Sequence, residues 1–202
     1  MKKIITISRE FGSGGRTIGR MVAEKLGYDF YDKELVKKIA VESGLHEDFV
    51  EQNGEYASAK NWFSYVFQSM GTQGVMNGMS MDDFLWAMQR KVINDLADKG
   101  NCVIVGRCAD YILRDREDTL NVFVHADKKA RAERIVRLYG MTEKSPEKRL
   151  DEKDQRRKVY FKHYTDQVWG MSQNYDISLD TSSLGIDQCV DIICSIVEKS
   201  KK

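Results

Sequence analysis

The chain has 202 residues, of which 42% are hydrophobic and 31% are charged, and its formal net charge is +1. This length suits one domain with a well-buried core, and the balanced charge argues against a protein that binds nucleic-acid polymers. No apolar stretch approaches the roughly 20 residues of a membrane-spanning helix, and no signal-peptide pattern opens the chain. We therefore expect a cytoplasmic protein with neither a membrane nor a nucleic acid as its partner.

The N-terminal segment predicts a strand, a glycine-rich loop and a helix. Residues 4–7 are β-branched, glycines follow at 12, 14 and 15, and apolar residues then recur at helical spacing from Ile18 to Leu26. A helix that begins directly after glycines leaves its first N–H groups unpaired at the positive end of its dipole, where phosphate binds. The residues predicted to bind phosphate are Gly12, Ser13, Gly14, Gly15, Arg16 and Thr17.

The same loop departs from the P-loop pattern GxxxxGK[ST]. Alignment on Gly14 places Arg9 at the first glycine, Gly15 at the lysine and Arg16 at the Ser/Thr position. Arg16 is then the obvious substitute for the missing lysine. A glycine-rich turn that only lets the helix pack on the strand is the alternative interpretation.

Beyond the loop, strand and helix patterns alternate, which favours an α/β fold. The later strands are predicted at residues 28–31, 102–105, 120–124 and 175–179, and the later helices begin near residues 33, 81, 128, 146 and 186. Residues 42–99 read as a helical excursion from the sheet. We find no linker that would divide the chain into separate domains.

A basic segment follows the fourth predicted strand. It contains Arg131, Arg134, Arg137, Arg149, Arg156 and Arg157, interleaved with acidic residues. Guanidinium groups suit phosphate oxygens, and arginines on a closing flap can stabilise the charge of a transferring phosphoryl group. For any single arginine, an ion pair on the helix surface is the alternative.

Taken together, several motifs resemble those of the cytidylate kinase-like family, a branch of the P-loop nucleoside monophosphate kinases. The motifs are ITISREFGSGGRTIGRMVAEKLG, FYDKELV, VIVGRCADYIL, NVFVHADKKARAERI and LDTSSLGIDQCV. The resemblance implies a three-layer α/β fold with a central parallel five-stranded sheet, a helical excursion that binds the nucleoside monophosphate, and a basic lid. The chain would then be one domain, with its core in residues 1–41, 100–127 and 168–202, the excursion in 42–99 and the lid in 128–167.

The resemblance also implies an activity, which is phosphoryl transfer from ATP with Mg²⁺ to a nucleoside monophosphate, and CMP or dCMP is the expected acceptor. Arg9 and the loop residues 12–17 would bind ATP, and Thr17 would lie by its Mg²⁺. The residues expected to bind substrate are Asp32, Lys38, Arg107, Asp110, Arg134 and Asp154. Those expected to act in catalysis are Arg16, Arg131, Arg156 and Arg157.

Two further departures from the family pattern keep other functions open. Val105 stands where cytidylate kinases carry an acid, which leaves Asp110 or Glu10 as metal partners, and Lys38 stands where they carry an arginine. The alternatives are a nucleotide-binding module without catalysis and a kinase of the same fold with a non-nucleotide acceptor. The methionines and aromatic residues between 62 and 88 suggest a contact surface, so a homodimer is also open.

Overall fold

The structure is a computed structural model that describes residues 2–44 and 81–200. The strands are β1 (Ile4–Arg9), β2 (Asp29–Tyr31), β3 (Cys102–Val105), β4 (Thr119–His125) and β5 (Ile177–Asp180). The described helices are α1 (Gly15–Leu26), α2 (Lys33–Ser43), α3 (Met81–Lys99), α4 (Ala109–Ile112), α5 (Lys128–Tyr139), α6 (Pro146–Thr165), α7 (Thr181–Leu184) and α8 (Ile186–Lys199), with a 3-10 turn at Ser172–Asn174.

All five strands run parallel in one sheet, in the order β2-β3-β1-β4-β5. The central strand β1 is buried along its whole length, as expected of a strand that helices cover on both faces. Because the strands are parallel, the carboxyl ends of β1, β3 and β4 meet at one edge of the sheet. Ligands of open α/β sheets bind at that edge.

Two hydrophobic clusters cover the opposite faces of the sheet, since alternate residues of a strand point to opposite sides. Ile5 and Ile7 belong to a cluster that also contains residues of α1 and α8. Ile4 and Ile104 belong to a second cluster, which contains residues of α2 and α3. This three-layer arrangement confirms the predicted fold class.

The predicted elements are present, with small shifts at their ends. The second strand begins at Asp29, and the last begins at Ile177, after the 3-10 turn at Ser172–Asn174. Residues 45–80, and with them most of the predicted excursion and contact surface, lie outside the described residues. In the described part of the chain, no helix is both long and apolar enough to cross a membrane.

Candidate active site

The glycine loop lies between β1 and α1 at the carboxyl edge of the sheet. Gly12 (φ 81°) and Gly14 (φ 94°) adopt left-handed conformations that favour glycine. The first hydrogen bond of α1 runs from Ile18 N to Gly14 O at 3.0 Å, and Gly14 offers no side chain to cap the helix. The preceding N–H groups of α1 therefore stand at the positive end of the helix dipole, in the arrangement that binds phosphate.

Helices α5 and α8 pack against this loop. A Cβ atom on Gly12 would lie 2.9 Å from the carbonyl oxygen of Arg131, and one on Gly14 would overlap Ile186 Cδ1 and lie 3.4 Å from Arg134 Cζ. The backbone oxygen beside Gly12 leaves no room for a side chain there, while at Gly14 the left-handed backbone favours glycine. Burial, with the nearby charge of Arg137 as a smaller cause, lowers the pKa of Arg134, so an anion bound beside Gly14 would stabilise this guanidinium.

Asp154 on α6 ties the lid helices to the loop. Its carboxylate accepts hydrogen bonds from Phe11 N at 2.7 Å and from Arg131 Nη1 at 2.5 Å. Arg131 on α5 also donates to Phe11 O at 3.2 Å, and its Nε lies 3.3 Å from Glu10 Oε2. Because Asp154 and Arg131 are both more than nine-tenths buried, they brace the loop.

Arg157 adds a second brace from α6. Its Nη1 donates to the carbonyl oxygen of Arg9 at 3.0 Å and lies 3.8 Å from Asp154 Oδ1. Only 5% of Arg157 is exposed, and its guanidinium lies 5.9 Å from the centre of the Phe11 ring. The neighbouring Arg156 is half-buried.

Arg16 and Asp32 form an ion pair between the first turn of α1 and the start of α2. Arg16 Nε lies 2.6 Å from Asp32 Oδ2, with 56% of the arginine side chain and 15% of the aspartate side chain exposed. Asp32 precedes α2, but its side chain does not cap that helix. The pair connects the end of α1 beside the glycine loop with the segment expected to bind the acceptor.

Arg107 lies in a tight turn after β3. Gly106, Arg107 and Cys108 all have positive φ values, of 75°, 60° and 53°, a conformation that is costly for the two residues with side chains. Gln89 Nε2 on α3 donates to the Arg107 carbonyl oxygen at 2.8 Å, and Tyr160 on α6 donates to Gln89 Oε1 at 3.0 Å. Two helices thus hold this turn against the sheet.

A model of the cytidylate kinase-like family matches residues 4–183. The chain belongs to this family. It is 27% identical over 203 residues to a cytidylate kinase of Archaeoglobus fulgidus, and the alignment covers 98% of this chain and 96% of that one.

Solved structures show the same fold. A protein of Eubacterium ventriosum ATCC 27560 superposes with a TM-score of 0.72 at 27% identity, over 98% of this chain and 99% of that chain. Shikimate kinase from Acinetobacter baumannii superposes with a TM-score of 0.55 at 16% identity, over 100% of this chain and 96% of that chain. The second likeness concerns the fold alone.

The remaining predicted site residues of this cytidylate kinase-like chain lie around the same edge. Thr17 is half-buried in the first turn of α1, and Asp110 is 3% exposed in the first turn of α4. Lys38 is exposed on α2, with its Nζ 5.8 Å from the centre of the Tyr31 ring. Glu10 accepts a hydrogen bond from Ala126 N at 3.2 Å besides its contact with Arg131.

Sequence reasoning missed the contacts of Gln89 and Tyr160 with the Arg107 turn. Gln89 is 3% exposed and lies among the apolar residues of α3. A polar residue on an apolar helix face needs a hydrogen-bond partner when it is buried, and this pattern could have indicated the contact. Burial raises the pKa of Tyr160 well above its usual range, which keeps its hydroxyl protonated as a donor. Tyr164 stacks on Trp86 with ring centres 4.5 Å apart, so it packs α6 on α3.

Proposed function

We propose that this protein transfers the γ-phosphoryl group of ATP to a nucleoside monophosphate, with CMP or dCMP as the acceptor. The observation that carries the proposal is the glycine loop, whose uncapped helix N-terminus lies beside the guanidinium of Arg134. Membership of the cytidylate kinase-like family supports phosphoryl transfer, and the cytidylate kinases among its relatives favour a cytidine nucleotide.

The donor phosphates would bind at residues 12–17. Backbone N–H groups of the loop would bind the phosphate oxygens, while Arg134 would supply positive charge. Arg131, Arg157 and Asp154 hold the loop through buried contacts, which keeps those donors in place before substrate binds. Preorganised donors of this kind stabilise charge without reorganising during the reaction.

The residues around the loop fit a Mg²⁺ ion that arrives with the nucleotide. Within residues 2–44 and 81–200, no group of three or more His, Cys, Asp or Glu side chains could hold a metal by itself. Mg²⁺ commonly binds through one or two protein oxygens together with phosphates and water. Thr17 would offer its hydroxyl, and Asp110 or Glu10 an acid. Bound Mg²⁺ would neutralise charge on the phosphates.

The acceptor would bind between the start of α2 and the turn after β3. Asp32 precedes α2 and Lys38 lies in the middle of that helix, while Arg107 lies in the turn after β3. The acceptor phosphate is already ionised at neutral pH, so its oxygen can attack the γ-phosphorus without a general base. The new bond joins that oxygen to phosphorus, the bond from phosphorus to the bridging oxygen breaks, and ADP leaves.

The test is an acceptor panel with product identification. Purified protein, ATP and Mg²⁺ are incubated with each common nucleoside monophosphate, each deoxy form, and a set of small alcohols and hydroxy acids. We expect equal amounts of ADP and a cytidine diphosphate, and no transfer without Mg²⁺. Transfer only to a non-nucleotide would leave the kinase reaction standing and overturn the acceptor. No transfer to any compound would overturn the catalytic proposal.

Gly15 favours a second candidate, a module that binds nucleotide without catalysis. It occupies the position of the P-loop lysine and carries no charge. The two candidates separate in one experiment, because the module would bind ATP with Mg²⁺ in a calorimetric titration and yield no product with any acceptor in the panel.

A further inference from the structure

A narrow cavity lies beside the carboxyl ends of β1 and β3, under α6. Arginine residues from three different elements line it, together with Ser8, Tyr160 and Trp169. These arginines are Arg9 on β1, Arg107 after β3 and Arg157 on α6. They are 7%, 4% and 5% exposed, respectively.

Buried guanidinium groups require partners, because a charge removed from water is costly unless it is compensated. Arg157 has Asp154 and the Arg9 carbonyl oxygen as partners. Arg107 Nη1, in contrast, has no hydrogen-bond partner among the residues that the structure describes. A buried donor in this state needs a hydrogen-bond acceptor, and an oxygen of a bound anion would supply one.

The stem of Arg9 runs across Gly15. A Cβ atom on Gly15 would lie 2.6 Å from Arg9 Cβ and 3.0 Å from Arg9 Cγ. Arg9 therefore fills the space in which a side chain at position 15 would begin. In the P-loop pattern aligned on Gly14, position 9 carries a glycine and position 15 carries the lysine. In this chain position 9 carries the cation and position 15 the glycine, so the two have exchanged places.

We infer that Arg9 supplies from β1 the positive charge that the lysine of a P-loop supplies from the first turn of its helix, and that Arg9 and Arg107 bind the phosphoryl group in transit. This role for Arg9 rests on the proposed function. Arg16 does not share the geometry, because more than half of its side chain is exposed and it pairs with Asp32.

The first test removes the charge of Arg9 and keeps its stem. Arg9→Gln retains Cβ and Cγ over Gly15, Arg9→Lys retains a cation, and Arg20→Gln on the exposed side of α1 is the matched control. We expect Arg9→Gln to lower kcat by about 10²- to 10³-fold, as loss of one transition-state donor does. The kcat of Arg9→Lys should be at least tenfold higher than that of Arg9→Gln, and the kcat of Arg20→Gln should match that of the wild type.

The second test reverses the exchange. Arg9→Gly removes the cation, and Gly15→Lys alone places a side chain against the Arg9 stem, so both single variants should transfer slowly. The double variant restores the glycine and lysine order of the P-loop pattern. We expect it to exceed each single variant at least tenfold in kcat. A double variant no faster than the slower single variant, while still folded by its thermal unfolding curve, would overturn the exchange.

A binding measurement separates failure of this role from failure of the proposed function. Inorganic tripolyphosphate carries the donor's phosphate chain without a nucleoside, and its affinity is measured by calorimetry for the wild type, Arg9→Gln and Arg20→Gln. If the wild type transfers phosphoryl and Arg9→Gln keeps full kcat, the role of Arg9 is wrong. If the wild type transfers nothing, the proposed function fails. The role of Arg9 in phosphate binding then depends on whether Arg9→Gln weakens tripolyphosphate binding at least tenfold.

Discussion

Arg16 Nε lies 2.6 Å from Asp32 Oδ2, so the helix that follows the glycine loop is joined directly to the helix expected beside the acceptor. Because the arginine side chain is 56% exposed, water screens this pair, and its contribution to the free energy of unfolding should stay below about 1 kcal/mol. Its importance would then lie in keeping Asp32 oriented toward the acceptor.

Arg16→Ala and Asp32→Asn should therefore raise the KM for the acceptor by similar factors, and the double variant should raise it no further than either change alone. Residues that act as a unit give such non-additive effects. The measurement is steady-state kinetics with varied acceptor at saturating ATP. If the increases in KM of the two single variants multiply in the double variant, the two residues act independently. If Arg16→Ala lowers kcat more than Arg9→Gln does, Arg16 is the substitute for the lysine.

Asp154→Asn should destabilise the protein strongly, because the change removes a buried carboxylate that holds both Phe11 N and Arg131 Nη1. Loss of one partner from a buried ion pair costs about 3 kcal/mol or more. Asp151→Asn on the same helix is the control, since its ion pair with Lys128 is exposed. Urea unfolding of both variants measures the difference, and equal stability of the two would contradict the bracing role of Asp154.

Gly14→Ala should impair both stability and phosphate binding. Alanine at this position meets a left-handed backbone and overlaps Ile186 Cδ1, whereas Gly27, at φ 68°, has nothing within 4 Å of an added Cβ. Gly27→Ala therefore isolates the backbone cost of about 1–2 kcal/mol. We expect Gly14→Ala to lose more stability than this control and to weaken ATP binding, as measured by thermal unfolding with and without ATP and Mg²⁺. An equal loss in the two variants would show that the loop tolerates the side chain.

Asp180 should make the α7 turn sensitive to acid. Hydrogen bonds from Ser182 lower the pKa of Asp180 to about 2, and the next residue, Thr181, donates to the carbonyl oxygen of Ser13 at 2.7 Å. A lowered pKa means that the stabilisation is present above the unfolded-state value of about 4 and is lost as the pH falls toward 2. Relative to Asp180→Asn, the wild type should lose stability between about pH 5 and pH 3, by an amount that solvent screening keeps small. Parallel unfolding curves for both proteins over this range would contradict this account of Asp180.

Local patterns in the sequence were sufficient for the alternation of strands and helices, whereas the resemblance to the family implied the parallel five-stranded sheet. Buried strands such as Cys102–Val105 are continuous apolar runs, and the glycines before α1 mark the turn at the edge of the sheet. Each of these signals lies within a few consecutive residues, which is why the strand and helix alternation and the glycine loop could be predicted.

The internal arrangement of the site could not be predicted in the same way, because it depends on contacts between distant segments. Arg157 and the Arg9 carbonyl oxygen are 148 positions apart, and Tyr160 and Gln89 are 71 positions apart. The sequence identified Arg131 and Arg157 as phosphate-facing lid residues, whereas the structure places both in buried contacts with the loop. Their catalytic role remains a prediction. Only the folded chain shows that Arg9 passes over Gly15.

The glycine loop should receive the phosphates of the nucleotide, and an amide-resolved titration can follow this loop residue by residue. The ¹⁵N–¹H spectrum of the protein is recorded as ATP with Mg²⁺ is added, and the amides of Gly12, Gly14, Gly15 and Thr17 are followed. We predict that the largest saturable shifts occur at these amides, with Gly27 at the far end of α1 as an unaffected reference. Saturable shifts centred elsewhere, or none at millimolar ATP, would contradict it.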